Sequence, residues 1–156
     1  MNLNLTEEQA MIQEMASRFA ETELTPVAER LDQQGDREVF LSNLKKLAEL
    51  GFMGLNIDAA HGGSEAGVVA FSLAITEIAR ACASTAVTMS VSNMVAEVIQ
   101  TIASEEQKQT YLPKICSGEY SAAAFCLSES GAGSDPAAMK TQAVKKGDAW
   151  ELNGTK

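Results

Sequence analysis

Residues 104–135 read SEEQKQTYLPKICSGEYSAAAFCLSESGAGSD, and inside this stretch the chain changes its repeat. Ser104 followed by Gln107 has the form of a capping box: the hydroxyl accepts from the amide three residues on and the glutamine reaches back, so a helix begins there. Ser117 and Gly118 end it, because glycine readily takes the left-handed conformation that closes a helix. Beyond them, residues 122–127 are short, apolar and compact enough for a strand. Residues 141–144 and 150–152 then flank Lys146, Gly147 and Asp148, a hairpin turn. The reading is a mainly α chain, with an N-terminal α-helical domain over residues 1–119 and the beginning of an antiparallel β domain over residues 120–156. A sheet that starts this late has unpaired edges, which points to a truncated piece of a longer protein.

The helical pattern extends back to the N-terminus. Thr6 and Gln9 form another capping box, followed by Ile12, Met15 and Phe19 on one stripe. Thr25-Pro26 breaks that helix and Pro26 opens the next, since proline suits a first helical position but disfavours helical geometry before it. A polar turn over residues 32–36 precedes Phe40, Leu44, Leu47 and Leu50, and Gly51 offers the cap. Residues 52–57 read as extended, turning at His61, Gly62 and Gly63. From Val68, a helix carries Phe71, Ile75 and Ile78 in register, and Ala79, Ala81 and Ala83 suggest close approach of another helix. Over residues 85–103, Val87, Val91, Met94, Val98 and Ile102 recur at helical spacing, widened by Val95 and Ile99, and read as core.

Composition excludes several classes. Among 156 residues, 46% are hydrophobic and 21% charged, the balance of a globular protein. The net charge of −9, with no basic cluster beyond Lys45-Lys46 and Lys145-Lys146, argues against nucleic acid. Cys82, Cys116 and Cys126 are odd in number and widely spaced, so they suggest buried thiols rather than disulfides or a zinc site. His61, the one histidine, reads as an exposed loop residue without metal-binding neighbours. The first residues lack a leader pattern and no stretch is apolar enough to span a bilayer, so the expected location is cytoplasmic.

Chemistry concentrates in Ser128-Glu129-Ser130-Gly131-Ala132-Gly133-Ser134-Asp135. Glycines 131 and 133 let the chain turn sharply and press its amides against a ligand, and the hydroxyls of Ser130 and Ser134 add donors suited to a pyrophosphate. An ordinary glycine-rich β turn has the same composition. A Rossmann fingerprint is excluded by context: a third glycine is missing at the required spacing, and strands follow instead of a helix.

As a whole string, FCLSESGAGSD over residues 125–135, with MKTQAVKKGDAWELNGTK behind it, resembles the signature of the acyl-CoA dehydrogenase family. LTEEQ, ELGFMGLNI, HGGSEAG and SEEQKQTYLPKICSGE resemble the same family in the same order, so the similarity covers essentially the whole chain. Ser130 departs from the family's proline, and the residues before His61 lack its proline and glutamate. The resemblance implies FAD as cofactor and an acyl-CoA thioester as substrate, oxidised at Cα–Cβ to the trans-2-enoyl-CoA. A glutamate takes the α-proton and flavin N5 the β-hydride.

It further implies that Phe125, Cys126, Leu127 and Ser128 lie along the isoalloxazine, with Ser128 donating to the flavin edge. Gly133 and Ser134 would contact the pyrophosphate, and Ser134 also the CoA portion. Ser90, Val91, Met94 and Val95 fall where the family lines its acyl pocket. No catalytic base is expected within these residues, because the family takes it from a later helical domain; the piece alone is therefore expected to be inactive and to bind FAD weakly. An electron-transferring flavoprotein as acceptor and a homotetramer are implied for the complete protein. An acyl-CoA oxidase, a flavin monooxygenase on the same scaffold, and a non-catalytic helical binding module remain alternative readings.

Overall fold

The computed structural model describes residues 4–156; the N-terminal reading of residues 1–3 lies outside the described residues. The chain divides into two units, residues 1–124 and 125–156.

The first unit is helical. α1 (Glu7–Phe19) starts at the expected capping box, Thr6 Oγ1 accepting from Gln9 N at 3.2 Å and Gln9 Oε1 accepting from Thr6 N at 3.0 Å. It widens into a π turn, Ala20–Leu24. The restart comes later than Pro26: α2 is Ala28–Gln34, because residues 25–27 still continue the turn and Val27 N bonds back to Leu24 O at 3.1 Å. Gly35, at φ 61°, ends α2, and Asp36 Oδ1 caps α3 (Arg37–Glu49) by accepting from Val39 N. α4 (Gly67–Ala81), α5 (Ala83–Ile102) and α6 (Glu105–Cys116) complete the unit, α6 starting at the Ser104/Gln107 box.

The core is built where α1, α3, α4, α5 and the turn after α3 meet. Leu24, Leu44, Leu47, Phe52, Met53, Leu55, Ile78 and Met89 are each almost fully buried there. A leucine so placed contributes about 2 kcal/mol relative to an exposed one. A smaller cluster, Ile57, Ala96, Leu112, Ile115 and Cys116, holds α6. The small residues that permit close helix approach are Ala16 and Ala20 on the α1 side and Ala70 and Ala74 on α4, all buried; Ala79 and Ala83 are exposed and Ala81 only half-buried.

Residues 52–57 are not extended. Phe52–Gly54 is a 3-10 turn, as is Ala59–His61, and His61 is half-buried rather than exposed. The cause is Asn93 on α5, which substitutes for a strand partner: its Oδ1 accepts from Leu55 N at 3.0 Å and its Nδ2 donates to Phe52 O at 2.9 Å.

α5 corrects the sequence reading most. The stripe Val87, Met94 and Ile102 faces outward, 61%, 44% and 77% exposed. The buried face is Thr85, Ala86, Met89, Ser92, Asn93 and Ala96, small and polar residues that let neighbours approach and supply hydrogen bonds.

The second unit contains one two-stranded antiparallel ladder, β1 (Gln142–Lys146) on β2 (Ala149–Asn153), with Ala143 opposite Leu152 and Lys145 opposite Trp150. Gly147, at φ 62°, makes the turn. Residues 122–127 run without regular pairing, and among the described residues the one sheet is the β1–β2 pair. Cys126, in this segment, is exposed, against the expectation of three buried thiols; Cys82 and Cys116 are buried.

Candidate functional site

The glycine-rich loop is a tight hairpin of its own. Glu129 and Ala132 exchange both backbone hydrogen bonds at 3.1 Å, so Ser130 and Gly131 occupy the turn. Ala132 is 2% exposed and anchors the loop, while Ser128, Ser130, Gly133 and Ser134 are exposed. Asp135 Oδ1 accepts from Ala137 N at 3.2 Å and starts the 3-10 turn Pro136–Ala138.

Neither Gly131 nor Gly133 has a positive φ, so the turn does not require glycine for its backbone. A Cβ added at either would meet nothing within 4 Å. Folding therefore gives no reason for these glycines; a molecule lying flat against the backbone would. Among the described residues, the amides of Gly131, Gly133 and Ser134 have no partner, nor do the hydroxyls of Ser128, Ser130 and Ser134. Free amides and hydroxyls on one loop are suited to an anion such as a pyrophosphate.

Glu129 organises the loop's underside. Its Oε2 accepts from Lys140 N at 2.7 Å, its Oε1 from Thr141 N at 3.1 Å, and Lys156 Nζ lies 3.0 Å from Oε1. The Lys140 amide foremost, then Thr141 and the Lys156 ammonium, hold this carboxyl down to about 2. Lys156 Nζ also donates to Leu127 O at 2.9 Å, which ties the 125–128 segment to the residues that follow β2. Sequence reasoning placed Glu129 in the motif without this role; the signal was its position directly before the turn.

On α5, Ser90, Val91, Met94 and Val95 lie at spacings of one and four and share one face, three half-buried and Met94 exposed. The opposite face is fixed to its own unit. Asn93, 1% exposed, makes the bonds described above and donates also to Met89 O at 2.9 Å. Ser92 Oγ accepts from Ala123 N at 3.1 Å, holding the segment that leads out of α6. Ser92 and Asn93 went unread because polar residues inside an apolar repeat look like the solvent side of the helix. The glutamates nearest these groups are engaged: Glu97 Oε1 accepts from Asn56 Nδ2 at 2.6 Å, and Glu129 is held as above. Among the described residues, no cluster of three or more His, Cys, Asp or Glu side chains could hold a metal, and no helix is long and apolar enough to cross a membrane.

The family model for the acyl-CoA dehydrogenase N-terminal domain matches residues 6–119, and the chain belongs to the acyl-CoA dehydrogenase family. The probable acyl-CoA dehydrogenase YngJ of Bacillus subtilis is 38% identical over all of this chain and 40% of its own length. The acryloyl-CoA reductase (NADH) of Anaerotignum propionicum is 39% identical, over all of this chain and 39% of its own. Among solved structures, butyryl-CoA dehydrogenase of Megasphaera elsdenii superposes with a TM-score of 0.84 at 32% identity, covering 99% of this chain and 41% of that one. A chain in the structure of the electron transferring flavoprotein of Acidaminococcus fermentans matches with a TM-score of 0.87 at 39% identity, covering 99% and 40%. The chain thus spans about 40% of the length of the relatives it matches.

Proposed function

We propose that this chain supplies the flavin-holding loop and one wall of the acyl site of an FAD-dependent acyl-CoA dehydrogenase, which converts an acyl-CoA thioester to its trans-2-enoyl-CoA. The observation that carries the reading is the loop at residues 128–134, with two glycines that folding does not need and unpartnered amides and hydroxyls beside them. Similarity to family members supports it, among them a Bacillus anthracis acyl-CoA dehydrogenase complexed with FAD at a TM-score of 0.85 and 30% identity.

The residues present fit the group. Gly133 N–H, Ser134 N–H and the Ser134 hydroxyl would hold the pyrophosphate, and Ser134 would also reach the CoA portion. Phe125, Cys126 and Leu127 would lie along the ring, excluding water from one side. Ser128 would donate to the flavin edge, where a fixed donor stabilises charge on the reduced ring. When bound, FAD supplies the acceptor for the substrate's β-hydride. Ser90, Val91, Met94 and Val95 would line the acyl chain's path, with Met94 adaptable in shape. We place the division of labour at the helical residues 1–119 and the β residues 120–156. The α-proton base is assigned outside this chain, since Glu97 and Glu129 are both occupied. An electron-transferring flavoprotein as acceptor and a homotetrameric assembly belong to the same reading of the complete protein.

The test is flavin content. Full-length protein purified without added cofactor should carry FAD in its visible spectrum, and Gly133→Val should lose it while keeping the helical circular dichroism. A flavin-free protein that cannot be reconstituted refutes the proposal.

A further inference from the structure

We infer that Glu129 is a positioning residue for the flavin-holding loop: its carboxylate clamps the Lys140 and Thr141 amides and the Lys156 ammonium, and so sets the loop in its ligand-accepting shape before any ligand arrives. This inference rests on the reading of the loop as a flavin cradle.

Three separate segments converge on one side chain. The loop contributes Glu129 itself, which opens the hairpin through its two bonds to Ala132. The approach to β1 contributes the Lys140 and Thr141 amides at 2.7 and 3.1 Å. The segment after β2 contributes Lys156, whose ammonium lies 3.0 Å from the carboxylate and also donates to Leu127 O in the segment preceding the loop. Glu129 is only 9% exposed at its side chain, in a unit whose strand residues are all exposed, so this carboxylate is the best-shielded charged group there. Its depressed titration, to about 2, agrees with a group that is ionised whenever the loop is ordered.

The chemistry explains why a carboxylate is required. Two amides and an ammonium are all donors, and only a group with acceptor capacity on both oxygens satisfies them together. Glutamine at this position keeps one oxygen and turns an NH2 toward a donor. Aspartate keeps the charge but is one methylene shorter, so it reaches one side of the clamp at a time. No atom of the clamp comes within 4 Å of where a Cβ on Gly131 or Gly133 would stand, so the proposal leaves the ligand face to the backbone amides and has Glu129 act through the loop.

The experiment compares wild type, Glu129→Gln and Glu129→Asp in the full chain, by amide hydrogen exchange without FAD and by FAD titration. Wild type should show protected amides at residues 140 and 141. Both variants should lose that protection, and FAD affinity should fall by about tenfold to a hundredfold, the range expected when charge-assisted hydrogen bonds are lost. Aspartate should recover part of the loss, since it keeps the ion pair with Lys156. Protection of residues 140 and 141 that survives Glu129→Gln overturns the inference, as does unchanged FAD affinity in that variant. Protected wild-type amides in a chain that takes up no FAD refute the flavin reading itself and withdraw the role with it. Retained amide protection across the β1–β2 ladder in the same exchange experiment separates all of these from misfolding of the second unit.

Discussion

Removing the Asn93 side chain should unseat the turn that follows α3. In the structure this one amide accepts from Leu55 N at 3.0 Å and donates to Phe52 O and Met89 O, each at 2.9 Å, from a position that is 1% exposed. Met89 O keeps its place in the helix after Asn93→Ala, but Leu55 N–H and Phe52 C=O belong to residues 2% and 0% exposed and are left with only the pairing of the 3-10 turn itself. Two buried hydrogen bonds to the amide at about 1–1.5 kcal/mol each, together with the cavity the side chain leaves, give a loss of roughly 3–4 kcal/mol. That is a large share of the about 5–15 kcal/mol that holds a domain of this kind. At about 3–5 °C per kcal/mol, the midpoint of thermal unfolding should drop by roughly 10–20 °C. Asn93→Leu keeps the branched outline and leaves no cavity, but removes donor and acceptor and adds bulk at a buried site, so it should destabilise as well. Urea unfolding followed at the helical circular dichroism band would measure both variants. Stabilities of Asn93→Ala and Asn93→Leu within about 1 kcal/mol of wild type, the scatter of a routine surface change, would refute this account of the turn.

Further outcomes follow from the same coordinates. Gly63→Ala should be severely destabilising, by about 3 kcal/mol or more, because its Cβ would fall 1.9 Å from Ile57 O; Gly133→Ala, with nothing within 4 Å, should unfold like wild type and differ only in FAD affinity. Urea titration of the two side by side checks this. A thiol reagent at neutral pH should label Cys126 promptly and leave Cys116 untouched, since burial pushes the Cys116 thiol up to about 11 and Cys126 is exposed; mass spectrometry of the modified peptides reads the result. The Glu129 clamp should be insensitive to mild acid. Its folded pKa of about 2 lies below the ordinary value of 4.5, so its stabilisation is present above about 4.5 and is lost as pH falls from there toward 2. Amide chemical shifts of Lys140 and Thr141 report the folded state, so they should hold steady through that window and move only near its lower end, around 2.

Much of the architecture could be read from local chemistry. Thr6 with Gln9 and Ser104 with Gln107 announce helix starts because a capping box is specified within four residues, and the structure contains both in full. Gly147 marks the hairpin for the same reason: the turn's conformation is a property of that residue. What the sequence hid depends on partners far along the chain. Residues 52–57 look like a strand until Asn93, about forty positions on, takes their backbone groups. The apolar repeat on α5 gave the helix correctly and its orientation wrongly, because Val87, Met94 and Ile102 form a clean stripe while the packed face holds Thr85, Ser92 and Asn93. Hydrophobicity ranks faces by transfer to oil, and a face made of small residues and satisfied polar groups can pack more closely than one of branched apolar side chains. The outward side of the helix also carries Val91, Met94 and Val95, which the proposal assigns to the acyl chain. The glycine loop was found by its composition, but the reason for Gly131 and Gly133 came only from geometry: neither a positive φ nor a crowded Cβ explains them.

The central proposal is that this loop holds the flavin of a protein that oxidises acyl-CoA thioesters. Anaerobic titration of the full-length, FAD-loaded protein with a saturated acyl-CoA tests it directly. The account predicts stoichiometric bleaching of the visible flavin band with formation of the trans-2-enoyl-CoA; a flavin band left unchanged by every acyl-CoA chain length offered would contradict it.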